Sequence, residues 1–178
     1  MQQIKVVVTG PFGAGKTQFI NTISEIDVVT TERNISMPER RVHKDQTTVA
    51  MDFGRITIKK DLVLELYGTP GQRRFDFMFP ILSKGMWGFV VVVDSAGRES
   101  FKAAREVLHD FDRLSAVPRV IAANKQDAAG ALGPDELREV LDIAQGVPVL
   151  PCIATDKTSV RKVLLGLLSS MLGEAGSG

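Results

Sequence analysis

Apolar and polar positions fall in blocks along this chain. Nearly continuous apolar runs occupy residues 4–8, 62–67, 88–93, 119–123 and 147–152, the pattern of strands covered on both faces. Helical spacing fills the intervals near 16–24, 70–83, 99–114, 134–144 and 159–172. "PDEL" (134–137) is a good helix start: proline needs no N–H partner in a first turn, and two acids meet the helix dipole. "VAMDFGRITI" and "LVLELYG" flank the polar "KKD" turn and predict a hairpin of adjacent antiparallel strands. Strands alternating with helices predict a three-layer α/β fold, with a six-stranded, mostly parallel sheet, one antiparallel edge strand, and helices on both faces. One stretch breaks the pattern. Residues 27–45, "DVVTTERNISMPERRVHKD", are polar with little periodicity, which predicts an active-site loop rather than a strand.

Composition narrows the picture without changing it. A chain of 178 residues, 44% apolar and 24% charged, reads as one globular domain with a full core. A net charge of +1 gives no global field to attract nucleic acid. The single cysteine, Cys152, excludes an intrachain disulfide and fits a reducing, cytoplasmic setting; its strand context makes it a small buried group. No apolar run approaches the ~20 residues that span a bilayer. Neither a signal peptide nor a myristoyl or prenyl signal is visible at the ends, so a membrane visit is expected only through a partner. His43 and His109 have no neighbouring ligands and read as surface residues. Lys157, Arg161 and Lys162 read as the solvated face of the last helix.

Chemistry enters at two strand ends, where ligands sit in open α/β sheets. "GPFGAGKT" is Gly10, four residues, then Gly15, Lys16 and Thr17, placed after a strand and opening a helix. By average residue usage this pattern arises by chance in about 1% of such chains. Gly13 and Gly15 let successive N–H groups face phosphate oxygens, and the helix N-terminus adds partial positive charge. Lys16 would reach the β- and γ-phosphates, and Thr17 would offer its hydroxyl to Mg²⁺. The nucleotide site therefore starts with Gly10, Pro11, Phe12, Gly13, Ala14, Gly15, Lys16, Thr17 and Gln18. "NKQD" (124–127) follows the strand "RVIAA" and adds Asn124, Lys125 and Asp127. A carboxylate there can accept two hydrogen bonds from the N1–H and N2–H₂ edge of guanine, a pair that adenine does not offer.

With both motifs in order, the chain resembles a small Ras-like GTPase over nearly its full length. That resemblance implies a P-loop NTPase fold (a Ras-like G domain) over residues 1–172 with a flexible tail at 173–178. It places Thr48, in "TTVAMDFG", as a threonine meeting Mg²⁺ and γ-phosphate, so that Thr17 and Thr48 are the metal ligands. In "GTPGQ", Gly71 would give an N–H to the γ-phosphate and Gln72 would orient the attacking water, making Gln72, Lys16 and Thr48 the catalytic set. In "IATDK", Ala154 would offer its N–H to guanine O6, with Thr155 beside it. The implied activity is a slow GTP-hydrolysing switch with Mg²⁺ as cofactor. The alternatives are a GTP-bound module that does not turn over and, less favoured, a P-loop kinase, for which no arginine-rich lid is present.

Two departures mark a subgroup. Gly68 stands where the family has the acid that holds Mg²⁺ through water. Asp52 or Asp94 could compensate from a distance, although the plainer expectation makes Asp52 an ordinary strand residue and Asp94 a polar group at a strand end. Phe12 stands where eukaryotic members have glycine, and its bulk would obstruct a partner's arginine finger, worth roughly 10³–10⁵ in rate; the plainer alternative packs it under Phe75 or Phe77. "GPFGAGKT", "TTVAMDFGR" and "GTPGQRRF" together resemble prokaryotic Ras-like GTPases encoded beside roadblock/LC7 proteins and related to bacterial polarity GTPases. The resemblance implies a roadblock/LC7 regulator, with effectors meeting residues 27–48 and 68–79, and an arginine supplied from within, for which Arg73, Arg40 and Arg41 are candidates. Phe75, Phe77, Met78 and Phe79 are too many apolar groups for one helix face. They predict either a partner surface beside Gln72 or a core-facing helix start.

Overall fold

The computed structural model describes the backbone of residues 1–36 and 46–175. In chain order the elements are β1 (Gln2–Thr9), α1 (Lys16–Ile23), β2 (Val29–Ser36), β3 (Gln46–Lys59) and β4 (Leu62–Gly68). A 3₁₀ turn (Arg73–Met78) leads into α2 (Phe79–Leu82), followed by β5 (Gly88–Asp94), α3 (Phe101–Leu114), β6 (Arg119–Asn124), α4 (Pro134–Val140), β7 (Val149–Pro151) and α5 (Lys157–Ala175). The sheet order is β2-β3-β4-β1-β5-β6-β7. From β4 to β7 every pairing is parallel, and β3 runs antiparallel to β4.

Six of these strands form the expected sheet, with β3 antiparallel to the rest. A seventh extends it: Val29–Ser36 pairs antiparallel with β3 from Val29↔Phe53 to Ser36↔Gln46. The expectation of an irregular loop over residues 27–45 is therefore corrected for 29–36. Threonine and valine there suit an edge strand, whose outer side needs no apolar alternation, and that is why periodicity missed it. Residues 37–45 lie outside the described part, and with them Arg40, Arg41 and His43.

Strand alternation builds two cores. Val6 and Val8 of β1, with Val90 and Val92 of β5, face Phe19 and Ile20 of α1 and Val160, Leu164 and Leu167 of α5. Val7, with Phe89, Val91 and Val93, faces Phe79 of α2, Phe101 and Phe111 of α3, and Leu137 of α4. These central strands are buried on both sides, which accounts for their unbroken apolar runs. The expected helix over 70–83 is replaced by the 3₁₀ turn and short α2, with Pro80 in the first turn of α2. Proline there lacks the N–H that a continuous helix through this point needs, and is tolerated in the first turn of a new one. α5 runs to Ala175, three residues past its expected end. Among the described residues, no helix is long and apolar enough to cross a membrane.

Candidate functional site

The segment 10–17 leaves the end of β1 and enters α1. Gly10, Gly13 and Gly15 all have positive φ, a region that costs other residues steric strain. At Gly10 there is a second constraint, because a Cβ would overlap the carbonyl oxygen of Val92 on β5. The loop bends back over the strand ends only because that position is bare. Gly15 caps the start of α1 in the left-handed region, so the first N–H groups of the helix open into the loop.

Lys16 is buried inside this loop. Its Nζ donates to the carbonyls of Gly10 at 2.7 Å and Pro11 at 2.9 Å. Burial pulls its pKa down to about 8, with the Asp52 carboxylate opposing that shift. Thr17, next in line, donates its hydroxyl to Asp52 Oδ2 at 2.5 Å. Phe12, Gly13, Gly15, Lys16, Thr17, Gln18, Asp52, Gly71 and Lys125 line one open cleft of about 690 Å³, a size suited to a nucleotide-sized ligand.

The segment 124–127 is joined to this loop by side chains. Asn124, buried at the end of β6, donates from Nδ2 to the Ala14 carbonyl and accepts the Ala154 N–H, each at 2.9 Å. Lys125 has a positive φ of 62° and reaches the Gly13 carbonyl at 2.9 Å and Asp94 Oδ2 at 2.8 Å. Asp127 is exposed within the turn closed by the Ala128 N–H on the Lys125 carbonyl. The stretches 10–17, 124–127 and 152–155 thus form one cross-linked unit.

Several expectations change on contact with this geometry. Ala154 cannot present its N–H to a ligand while Asn124 Oδ1 holds it; the next N–H, that of Thr155, meets no acceptor among the described residues. Asp94 accepts the N–H groups of Ala96 and Gly97 besides pairing with Lys125. Burial pushes its pKa up, but those bonds outweigh it and the net shift is down. It is the strand-end polar group anticipated, and it is committed to its own loop. Asp52 is no ordinary strand residue, since it reaches Thr17. Thr48 lies in β3 opposite Asn34, four residues and about 13 Å of strand from Asp52.

Phe12 is 73% exposed, so it does not fold under Phe75 or Phe77, which contact one another instead at 6.5 Å between centroids. It also lines a second groove, with Gly71, Gln72, Arg73 and Ala103. Gly71 is close to both Phe12 and Lys16: a Cβ there would lie 3.0 Å from Phe12 Cα and 3.2 Å from Lys16 Nζ. Gln72 is exposed, and its Oε1 accepts a bond from Arg74 Nε at 2.7 Å. Arg73 points to α3, pairing with Glu106 at 2.6 Å and with Asp76 at 3.3 Å. Phe75, Met78 and Phe79 are buried and Phe77 is 38% exposed, so the segment mostly faces the core. Cys152 is buried, and burial raises its thiol pKa to about 11. His109, Lys157, Arg161 and Lys162 are exposed, as expected.

The sequence named Asp52 only as one of two distant carboxylates and not as the partner of Thr17; it missed the cross-linking role of Asn124 and the hold of Arg74 on Gln72. The hairpin signal could have flagged Asp52, because the strand ending in Gly68 had to pair with the one carrying it.

The family described as "Conserved hypothetical ATP binding protein" matches residues 8–174. Relatives include the GTP-binding protein YPTM2 of Zea mays, 25% identical over 70% of this chain and 64% of that protein. The Ras-related protein RIC1 of Oryza sativa subsp. japonica is 30% identical over 72% of this chain and 64% of its own length. The uncharacterized protein MJ1339 of Methanocaldococcus jannaschii is 28% identical over 94% of this chain and 96% of that protein. The chain thus spans a little under two thirds of the maize and rice relatives and nearly all of the archaeal one.

Proposed function

The chain belongs to the family described as conserved hypothetical ATP-binding proteins, and from that premise we propose that it is a GTP-binding switch that slowly hydrolyses GTP to GDP and phosphate. At the coarser level it is a P-loop nucleotide-binding protein homologous to Ras-like GTPases. One observation carries the finer reading: Asn124 and Lys125 tie the guanine-type motif directly to the phosphate loop. A nucleotide with its phosphates at Lys16 would therefore have its base beside residues 124–127. There Asp127 selects guanine over adenine through two donors that adenine lacks, and the Thr155 N–H takes the place first given to Ala154. The family's description says ATP, so base preference is the decisive measurement.

The chain's own groups would act by position and charge. Lys16, with the N–H groups at the start of α1, holds the phosphates. Gln72 orients the attacking water, for which its amide must leave Arg74. The hard oxygens of Thr17 and Asp52 fit Mg²⁺; among the described residues, no cluster of three or more His, Cys, Asp or Glu could hold a metal without other ligands. When bound with nucleotide, Mg²⁺ neutralises phosphate charge. For Thr48 to join Thr17, the Gln46–Met51 end of β3, which pairs with β2 and not with β4, must move to the cleft, and that end is the proposed switching element. Exposed Phe12 supports a regulator that inserts no arginine, and a roadblock/LC7 protein is the proposed partner. Arg73, committed to α3, is a weaker internal finger than at first expected.

The second reading, a permanently GTP-bound module, draws on the Arg74 hold on Gln72. The test is competition of GTP and ATP against fluorescent GDP, followed by single-turnover hydrolysis of Mg²⁺-GTP by the wild type and Gln72→Ala. GTP preference with slow hydrolysis that falls in the variant is expected. ATP preference would overturn the guanine reading, and equal hydrolysis by both proteins would remove Gln72 from the mechanism. Stable GTP retention without phosphate release would favour the second reading.

A further inference from the structure

Within 124–127, the side chains of Asn124 and Lys125 bond to the phosphate loop, and that of Gln126 bonds elsewhere. We infer that Gln126 is a positioning residue for Asp127: it holds the turn so that the carboxylate meets both guanine donors at once. It thereby sets how strongly the protein tells guanine from a base without the 2-amino group. The inference rests on the guanine reading above and deepens it by naming what fixes the group that reads the base.

Three observations carry it. First, Asp127 has no hold of its own. It is exposed, and its carboxylate makes no hydrogen bond or ion pair among the described residues. The backbone before it therefore sets its place, and two bonds to one base edge tolerate little drift, since good N–H···O distances span only about 2.7–3.2 Å. Second, both amide protons of Gln126 are committed. Its Nε2 donates to Ser95 Oγ at 3.0 Å and to the Leu132 carbonyl at 2.8 Å. Ser95 and Leu132 are buried, so water does not readily replace either bond. Third, the two anchors are fixed to the rest of the site. The Ser95 N–H donates to the Asn124 carbonyl at 3.0 Å, and the Ser95 carbonyl accepts the Leu132 N–H at 2.9 Å. Gln126 thus closes a ring that joins the ends of β5 and β6 to the segment before α4. Lys125, just before it, has a left-handed φ of 62°, a conformation that persists only where neighbouring bonds enforce it. Without the Gln126 amide, the bonds left to the 125–126 step are the Lys125 side chain, the Ala128 N–H on the Lys125 carbonyl, and the Gln126 N–H on the Cys152 carbonyl at 3.3 Å.

The competing role is structural, with Gln126 only stapling the segment before α4 to β5. A double-mutant cycle in ligand affinity separates the two. Nucleotide-free wild type, Gln126→Ala, Asp127→Ala and the double variant are titrated calorimetrically with GDP, with ADP, and with inosine diphosphate, which keeps N1–H and lacks the 2-amino group. Thermal unfolding without nucleotide runs alongside. Wild type is expected to prefer GDP over inosine diphosphate by about 10–100-fold, the worth of one hydrogen bond to a charged group. Gln126→Ala should cut that preference by roughly fivefold or more, because a carboxylate free to drift does not keep both bonds. In the Asp127→Ala background the same substitution should change GDP affinity by less than about twofold. Ser95→Ala removes one anchor and leaves the Leu132 bond, so it should cut the preference by about two- to threefold; it carries the test if Gln126→Ala does not fold. A Gln126→Ala variant that melts earlier yet keeps the full preference for GDP over inosine diphosphate would overturn the inference. So would an equal loss of GDP affinity with and without Asp127, or, where Gln126→Ala does not fold, an unchanged preference in Ser95→Ala. Each of these overturns this inference alone. Wild-type preference for ADP over GDP overturns the guanine reading and this inference with it.

Discussion

Asn124→Ala is expected to destabilise the protein even when no nucleotide is present. The side chain is 2% exposed and bridges two backbone groups, the Ala14 carbonyl and the Ala154 N–H. Truncation leaves both without their partner in a place that solvent scarcely reaches. Each orphaned group costs about 1–3 kcal/mol, so the pair amounts to roughly 2–5 kcal/mol, allowing for partial relaxation. For a chain of this size each kcal/mol lowers Tm by about 2–4 °C, which puts the expected fall near 5–15 °C. The assay is thermal unfolding by circular dichroism after exhaustive removal of nucleotide with EDTA. Asp127→Ala is the control: the residue is exposed, and its loss should move Tm by no more than about 1–2 °C. If Asn124→Ala melts within 1–2 °C of wild type, the bridge does not hold the loops together in the free protein. The claim that the two motifs form one preassembled cleft would then fail.

Other consequences are simpler to state. Binding an anionic phosphate favours the protonated form of Lys16, whose pKa in the free protein is about 8. Affinity should therefore be flat below about pH 7 and decline above it, by roughly fourfold at pH 8.5; isothermal titration at pH 6.5 and 8.5 checks this, and no change would show that Lys16 does not meet the phosphate. Phe12→Gly removes an exposed ring and should leave Tm within a few degrees, while opening the cleft to an arginine supplied from outside. Added guanidinium should then accelerate hydrolysis by the variant more than by wild type, and equal acceleration would remove Phe12 as the obstruction. Arg74→Ala frees the Gln72 amide from an exposed bond worth about 0.5–1 kcal/mol, so intrinsic hydrolysis should rise about two- to fivefold. A fall instead would mean that Arg74 helps Gln72. Gly10→Ala forces a Cβ onto the Val92 carbonyl and is expected to abolish folded yield; normal expression would show that the loop can move off β5.

The sequence by itself determined the central sheet and the positions of the nucleotide motifs. Strands buried on both faces hold mainly apolar side chains, with polar ones only where they are hydrogen-bonded at the strand ends, so β1, β5 and β6 are legible as runs. A loop that wraps an anion needs glycine at set places, so residues 10–17 are legible as a pattern. Local chemistry decides these features, and local chemistry is written in adjacent residues. Non-local geometry decided the rest. Val29–Ser36 is a strand because β3 offers it an edge, not because of its own periodicity. Residues 70–83 share helical spacing, yet Pro80 and the packing of Phe75 and Met78 break them into two pieces. The clearest case is Asp52. The Lys60–Asp61 turn, with Lys59 opposite Leu62, would place Asp52 opposite Thr69, but an irregularity between Thr57 and Lys59 shifts the register by one, to Gly68. Because successive strand residues point to opposite faces, that single step decides where the Asp52 side chain points. With the shift, its carboxylate reaches Thr17 at 2.5 Å. No motif in the chain records that step, since it is a property of two strands meeting.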